Sequence, residues 1–343
     1  VDAPPLEDTA AGGDRVRAER IVVRAPNWVG DTVLSLGAVR DLRRNFPRSK
    51  LVMLARPWVA PLYEAVAEVD GVWPSRGFGA DRRALRGQFD VAVLLPNSFA
   101  AAAVVRAAGI PERWGYATDA RGPLLTRRTR VPAQVRGRSQ VYYYRAMLAG
   151  IGLAVSAAPD LSLLARAEWR ERGAALLGAP GPWMGLNPGA FHGSAKRWEP
   201  ARFAAAGERL ARETGARVAI VGGAAERPLG EAIAAAMNVP ARVLCGETTL
   251  GELVGVLSSL RLLLTNDSGP MHVAAALGVP VVAVFGPTDW RETGPVGARQ
   301  RLVREPVHCS PCLLRECPID HRCMRRVGVD RVVAEARALL AEA

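Results

Sequence analysis

Lysine is scarce in this chain. Of its 45 basic side chains, only those at positions 50 and 196 are lysines, so Lys196, within AFHGSAKRWEP (190–200), asks for a chemical reason. An ammonium group on a flexible stem is a compact point charge that can follow a phosphate as charge develops on it, a task less suited to a planar guanidinium. The longer segment LNPGAFHGSAKRWEP places Asn187, Pro188 and Gly189 after a short apolar run. Its small residues Ala190, Gly193, Ser194 and Ala195 let backbone amides face a ligand. The segment does not match the GxxxxGK[ST] pattern, which disfavours a kinase-like P-loop. The plainer reading of Lys196 is an ordinary exposed lysine.

Three other segments carry residues that could join such chemistry. In APNWVGDTVLSL a strand ends near Arg24 and a helix begins near Asp31. Asp31 reads either as a helix N-cap or as a carboxylate that takes a proton from a hydroxyl nucleophile. In RLLLTNDSGPMHVAAALGVP a buried strand runs into Asn266, Asp267, Ser268 and Gly269, after which Pro270 and Met271 open a helix carrying His272. The amides at that helix start, with the positive end of its dipole, suit a diphosphate. Asp267 and Ser268 serve as caps on either reading, and His272 is a core histidine or a site residue. In VGGAAERPLGE, Gly222, Gly223 and Glu226 follow another strand, where Glu226 takes a ribose hydroxyl or begins a helix.

A fourth cluster suggests metal chemistry. HCSPCLLRECPIDHRCM spaces Cys309, Cys312, Cys317 and Cys323 within fifteen residues, with His308 and His321 interleaved. Four soft ligands could close a tetrahedral structural zinc site, and free thiols are the alternative. The isolated Cys245 is expected to be buried.

These segments need a frame that presents strand-to-helix turns on one side. Short β-branched runs (RIVVR, KLVMLA, DVAVLLP) alternate with helical spacing in the first half. PWMGLN, ARVAIVGG, ARVLC, RLLLTND and PVVAVFGP do so in the second. Each half therefore reads as a βαβ-type parallel sheet. The expected layout is a disordered extension over 1–19, a Rossmann-like domain over 20–150, a linker over 151–165 and a second Rossmann-like domain over 166–343. The last includes a Cys-rich loop at 308–323 and a C-terminal helix. Ligands are expected in the cleft between the halves, beyond the carboxyl ends of the strands. No GxGxxG sits at a strand-to-helix turn, so a nicotinamide or flavin enzyme lacks its usual fingerprint.

The net charge of +12 suits nucleic acid, an anionic membrane or a phosphorylated substrate. No arginine-rich helix with interleaved aromatics is present, which turns the reading away from nucleic acid. Arg56, Arg113, Arg121, Arg127, Arg128 and Arg130 are placed in or near first-half loops, where they could clamp carboxylates and phosphates. The start VDAPPLEDTAAGGDRVRAER lacks a signal-peptide core, and no apolar run approaches the ~20 residues of a membrane span. A cytoplasmic protein, peripheral to a membrane, is expected.

Taken together, APNWVGDTVLSLGAVRDLRRNFP, NPGAFHGSAKRWEPARFA, TNDSGPMHVAAALGVPVVAVFGPTD and CSPCLLRECPIDHRCM resemble the ADP-heptose:lipopolysaccharide heptosyltransferases of glycosyltransferase family nine. The forms NWVGD and TNDSGPMH look most like the type II members. The resemblance implies a GT-B fold, an α/β architecture of two Rossmann-like domains facing each other across a cleft. It implies inverting transfer of L-glycero-D-manno-heptose from ADP-heptose to heptosyl-Kdo2-lipid A at the cytoplasmic face of the inner membrane, with no catalytic cofactor. Under it Asp31 is the base and Lys196 stabilises the departing ADP. Asn187, Gly189, Gly222, Gly223, Glu226, Asp267, Ser268, Gly269 and His272 hold the donor, and Arg56 and Arg121 touch the acceptor. Type I specificity, another nucleotide-sugar transferase of the family, or a GT-B sugar-nucleotide epimerase are the alternatives.

Overall fold

The computed structural model describes residues 18–191 and 193–342. The expectation for residues 1–19 therefore falls outside the described residues except at its end. There Ser49 Oγ donates to Ala18 O, and the Glu19 N–H donates to Asp90.

The chain divides into two compact units after Leu161. The first holds β1 (Arg20–Arg24), β2 (Lys50–Ala55), β3 (Gly71–Pro74), β4 (Val91–Leu94), β5 (Glu112–Tyr116) and β6 (Arg127–Thr129). They form one sheet in the order β3-β2-β1-β4-β5-β6, parallel throughout. The second holds β7 (Trp183–Asn187), β8 (Arg217–Ile220), β9 (Ala241–Val243), β10 (Leu260–Asn266), β11 (Val281–Phe285) and β12 (Gln300–Arg304). Its order is β12-β11-β10-β7-β8-β9, also parallel. Both are the doubly wound order 3-2-1-4-5-6, whose direction of winding reverses next to the first strand.

Central strands are apolar because helices cover both faces of a parallel sheet. Ile21, Val23, Val93, Leu263 and Val282 are fully buried. Edge strands differ: in β12 only Val303 is buried, and none of β6 is. Arg113 lies on β5 and Arg127 and Arg128 on β6, so three arginines predicted in or near loops belong to strands.

Residues 151–161 pack against the first unit. Asn45 bonds both N and O of Ala154, Asp41 accepts from Ser156 N, and Arg40 reaches Asp160 O at 2.8 Å. Leu163 N instead donates to Ala276 O.

Candidate active site

In the second unit, the turns at the reversal point, after β7 and β10, are tied by two asparagines. Asn187, which ends β7, donates to Thr265 Oγ1 at 2.9 Å and to Ser268 Oγ at 2.5 Å. Asn266 ends β10. Its amide donates to Pro188 O at 2.7 Å, and its carbonyl accepts the Trp198 N–H at 3.0 Å. Both are buried, so the backbone on either side of Lys196 is pinned to the end of the neighbouring strand. Asn266 was not among the predicted site residues. A carboxamide ending an apolar strand was its signal.

Lys196 lies in a short 3₁₀ turn, Ser194–Lys196. Its ammonium meets Asp267 Oδ2 at 2.7 Å, with side chains only 13% and 5% exposed. The same carboxylate accepts from Thr288 Oγ1 at 2.6 Å and lies 3.5 Å from Thr293 Oγ1. Asp267 thereby keeps a cation in place despite the desolvation both groups undergo.

Next to it begins the helix Gly269–Ala276, with Pro270 in its first turn and Ser268 as N-cap residue. The Ser268 side chain makes no capping bond and faces Asn187 instead. First-turn amides have no intrahelical acceptor, and such an end suits an anion.

His272, in the first turn, is buried, and its Nδ1 has no hydrogen-bond partner among the described residues. Burial pushes its pKa down to about 4, against the pull of Asp267 and with the help of Lys196. The imidazole is neutral near pH 7. An unfolded histidine titrates near ~6.5, so between that pH and about 4 the unfolded chain binds a proton that the folded one does not. The His272 contribution to stability is complete above this window and disappears as pH falls through it, amounting to about 3 kcal/mol at most. In urea titrations from pH 7 to 4.5, His272→Gln is expected to flatten the loss of stability; an unchanged slope contradicts the assignment.

Glu226 closes the β8 turn over the β7 turn. Its carboxylate accepts the Gly223 N–H at 2.8 Å. A Cβ on Gly189 would stand 1.8 Å from Glu226 Oε1, and one on Gly222 would stand 2.6 Å from Oε2. Gly189→Ala is expected to displace Glu226 and lower unfolding free energy by about 1–3 kcal/mol. Adding Glu226→Ala should restore part of it, a coupling readable in a double-mutant cycle.

The zinc expectation finds no metal-holding group at the cysteine cluster: among the described residues no group of three or more His, Cys, Asp or Glu could hold a metal ion. Cys309, Cys312, Cys317 and Cys323 are free thiols, Cys312 exposed and Cys323 buried. Backbone contacts hold the loop instead. Cys312 and Leu313 N–H donate to Pro287 O, and Ala195 N–H donates to Arg315 O. His321 Nε2 lies 2.6 Å from Ala195 O. The approach is close enough that a Cβ on Gly193 would meet Arg315 O at 2.1 Å. The cysteine-rich segment is thus a brace for the turn bearing Lys196. Cys245, beneath Gly222 and Gly230, is buried.

In the first unit, Asp31 lies in the first turn of the helix Val29–Leu34, but the N-cap residue is Trp28. Asp31 therefore does not act as the cap that one reading gave it. Tyr144 hydrogen-bonds the Asp31 side chain, and burial foremost, then the Asp31 charge, holds its hydroxyl protonated. The turn before Asp31 is shaped by Arg24, which is buried and donates to Ala25 O, Leu54 O and Asn27 Oδ1. Neither Arg24 nor Tyr144 was predicted, because an arginine in an apolar strand and a tyrosine in YYY carry no distinguishing pattern.

Arg56 is half-buried, one residue past β2, with its guanidinium 5.7 Å from the Trp58 ring centroid. Arg121 does not fit acceptor contact. It is fully buried and donates to Tyr116 O, Pro96 O and Asn97 Oδ1. Its guanidinium organises the turns after β4 and β5, leaving no exposed face for a substrate.

Comparison with known proteins places this geometry in context. The family profile "Glycosyltransferase family 9 (heptosyltransferase)" matches residues 79–322. Lipopolysaccharide heptosyltransferase 2 of Escherichia coli strain K12 is 33% identical over 83% of this chain and 88% of its own length. The structure of E. coli ADP-heptose LPS heptosyltransferase II has a TM-score of 0.82 at 30% identity, covering 94% of this chain and 99% of that one. A glycosyltransferase family 9 structure from Veillonella parvula shares the fold, with a TM-score of 0.83 at 22% identity over 95% and 98% of the two chains. The paired parallel sheets are those of GT-B heptosyltransferases, and the protein is a glycosyltransferase. The chain belongs to glycosyltransferase family 9, the heptosyltransferases.

Proposed function

We propose that the protein transfers L-glycero-D-manno-heptose from ADP-heptose to heptosyl-Kdo2-lipid A, with inversion, in assembly of the lipopolysaccharide inner core. The observation that carries this reading is the buried Lys196–Asp267 pair beside the start of the helix Gly269–Ala276. Cation and helix dipole there suit a diphosphate leaving group. The names of the relatives, lipopolysaccharide heptosyltransferase 2 and ADP-heptose LPS heptosyltransferase II, supply the sugar and the acceptor class.

In this mechanism Asp31 accepts the proton of the acceptor hydroxyl as its oxygen bonds to the anomeric carbon. The bond from that carbon to the phosphate oxygen breaks, and its electron pair leaves with ADP. Lys196 and the first-turn amides around Ser268 and Gly269 receive the charge that develops. Neutral His272 and Asn187 line the same cradle, while Glu226 and the glycines 189, 222 and 223 shape the nucleotide side. Tyr144 keeps the Asp31 carboxylate oriented, and Arg56 meets anionic groups of the acceptor.

The work site is the cytoplasmic face of the inner membrane, because the acceptor is lipid-linked. Among the described residues no helix is long and apolar enough to cross a membrane. The test is product analysis. Mass spectrometry should find one heptose added per acceptor, and NMR should find the anomeric configuration inverted relative to the donor. Retention of configuration, or a donor epimer with no adduct, overturns the reading.

A further inference from the structure

We propose that the first unit docks on an anionic phospholipid surface through a row of aromatic side chains at the carboxyl ends of β3, β2, β1 and β4. This rests on the proposed lipid-linked acceptor and names the surface that would bring the enzyme to it.

The row follows from strand register. Arg24 pairs with Leu54 and Leu94, and Ala55 pairs with Pro74, so four neighbouring strands end at one level. Trp28 and Trp58 stand four residues past that level, after Arg24 and Leu54, while Phe78 and Phe99 stand five past it, after Trp73, which pairs with Leu54, and after Leu94. Their exposures are 53%, 55%, 52% and 52%, and no other large apolar residue described in this unit is so exposed. At ~4.8 Å per strand, four strands carry the row over roughly 14 Å. Half-exposed aromatics grouped on one edge mark an interaction surface rather than chance exposure.

Cations outnumber acids beside the row. Arg56 directly follows β2, Arg76 is two residues past β3, and Arg130 directly follows β6. Arg82 and Arg83 are exposed on the helix Phe78–Leu85, which Phe78 begins. The acids in these turns are Asp31, Asp81 and Asp119. Asp81 is buried and accepts from Ser75 Oγ and Arg76 N. The Trp58 indole N–H donates to Asn27 O at 2.8 Å, which joins two of the turns.

The nearby carboxamides are engaged. Asn27 accepts from Arg24, and Asn97 bonds Tyr143 and Arg121. A sugar-binding row would need such groups turned outward for hydroxyls. Rings interleaved with arginines fit the headgroup layer of an anionic bilayer, where amphipathic aromatics settle and cations meet lipid phosphates.

The test is co-sedimentation of the whole protein with vesicles of phosphatidylethanolamine and phosphatidylglycerol, without donor or acceptor. Phe78→Ser/Phe99→Ser, at the two ends of the row, is expected to lower the partition coefficient about tenfold or more. Arg76→Glu should lower it in a salt-dependent way. Binding to phosphatidylcholine vesicles should be weak for all proteins. Unchanged partitioning of the double variant, with folding verified by circular dichroism, overturns the proposal. So does an equal rise in its KM for a deacylated, water-soluble acceptor, which would assign the row to the saccharide. Because the vesicles contain no substrate, failure of the transfer reading leaves the sedimentation result unaffected.

Discussion

Asp31→Asn is expected to reduce turnover by roughly 10²–10⁴-fold while the protein stays folded and binds ADP-heptose as before. Asparagine keeps the size of the side chain and an oxygen that can still accept from Tyr144, so it removes basicity and little else. Asp31 lies in the first turn of the helix Val29–Leu34, where a negative charge is stabilised by ~0.3–1 kcal/mol. Loss of that charge therefore costs little stability. The measurements are kcat from ADP release and donor affinity from calorimetry on the same preparation. A variant within about threefold of wild-type kcat removes Asp31 from the role of base. Tyr144→Phe provides a milder companion, since it loosens the carboxylate without removing it.

Lys196→Met is expected to lower kcat/KM by about 10²–10³-fold, and it should also destabilise the fold. The ammonium lies 2.7 Å from Asp267 Oδ2, and that side chain is 5% exposed. Removing the cation leaves a buried carboxylate held, among the described residues, by Thr288 and Thr293. Breaking a buried pair in this way typically costs ~3–5 kcal/mol. The double variant Lys196→Met/Asp267→Asn separates the two consequences. It should regain much of the stability, read by urea denaturation, and none of the turnover. Recovery of turnover with stability would make the lysine a structural residue. Lys196→Arg should rescue poorly, because a planar fork cannot follow the phosphate as a compact ammonium does.

The sequence made the middle of each sheet legible and its margins illegible. Runs such as RIVVR and RLLLTND are apolar because both faces of β1 and β10 are covered. β3, β5, β6 and β12 read GVWP, ERWGY, RRT and QRLVR. Their residues are half exposed or interrupted by charge, so no hydrophobic period announces them. The linker expected at 151–165 is legible as a change of composition. Yet the side chains of Asp41, Asn45 and Arg40 bind it to the first unit as far as residue 160.

In the candidate site, turn residues were legible because strand ends, glycines and cap-forming residues coincide. Their partners were not. Nothing local in TNDSG indicates that Asp267 pairs with Lys196, or that Asn266 spans Pro188 and Trp198. These contacts depend on β7 and β10 being neighbours. Cysteine spacing suggested a metal, whereas the loop folds back on Ala195 through backbone groups that spacing cannot encode. Arginine identity likewise says little about place. Arg56 is half-buried beside an exposed tryptophan, and Arg121 is fully buried among carbonyls.

The most direct test of the account is ADP release from ADP-heptose, with heptosyl-Kdo2-lipid A or Kdo2-lipid A as acceptor, comparing wild type with folded Asp31→Asn. The account predicts turnover with the heptosylated acceptor alone, lost in the variant. Release that needs no acceptor, that prefers Kdo2-lipid A, or that survives Asp31→Asn contradicts it.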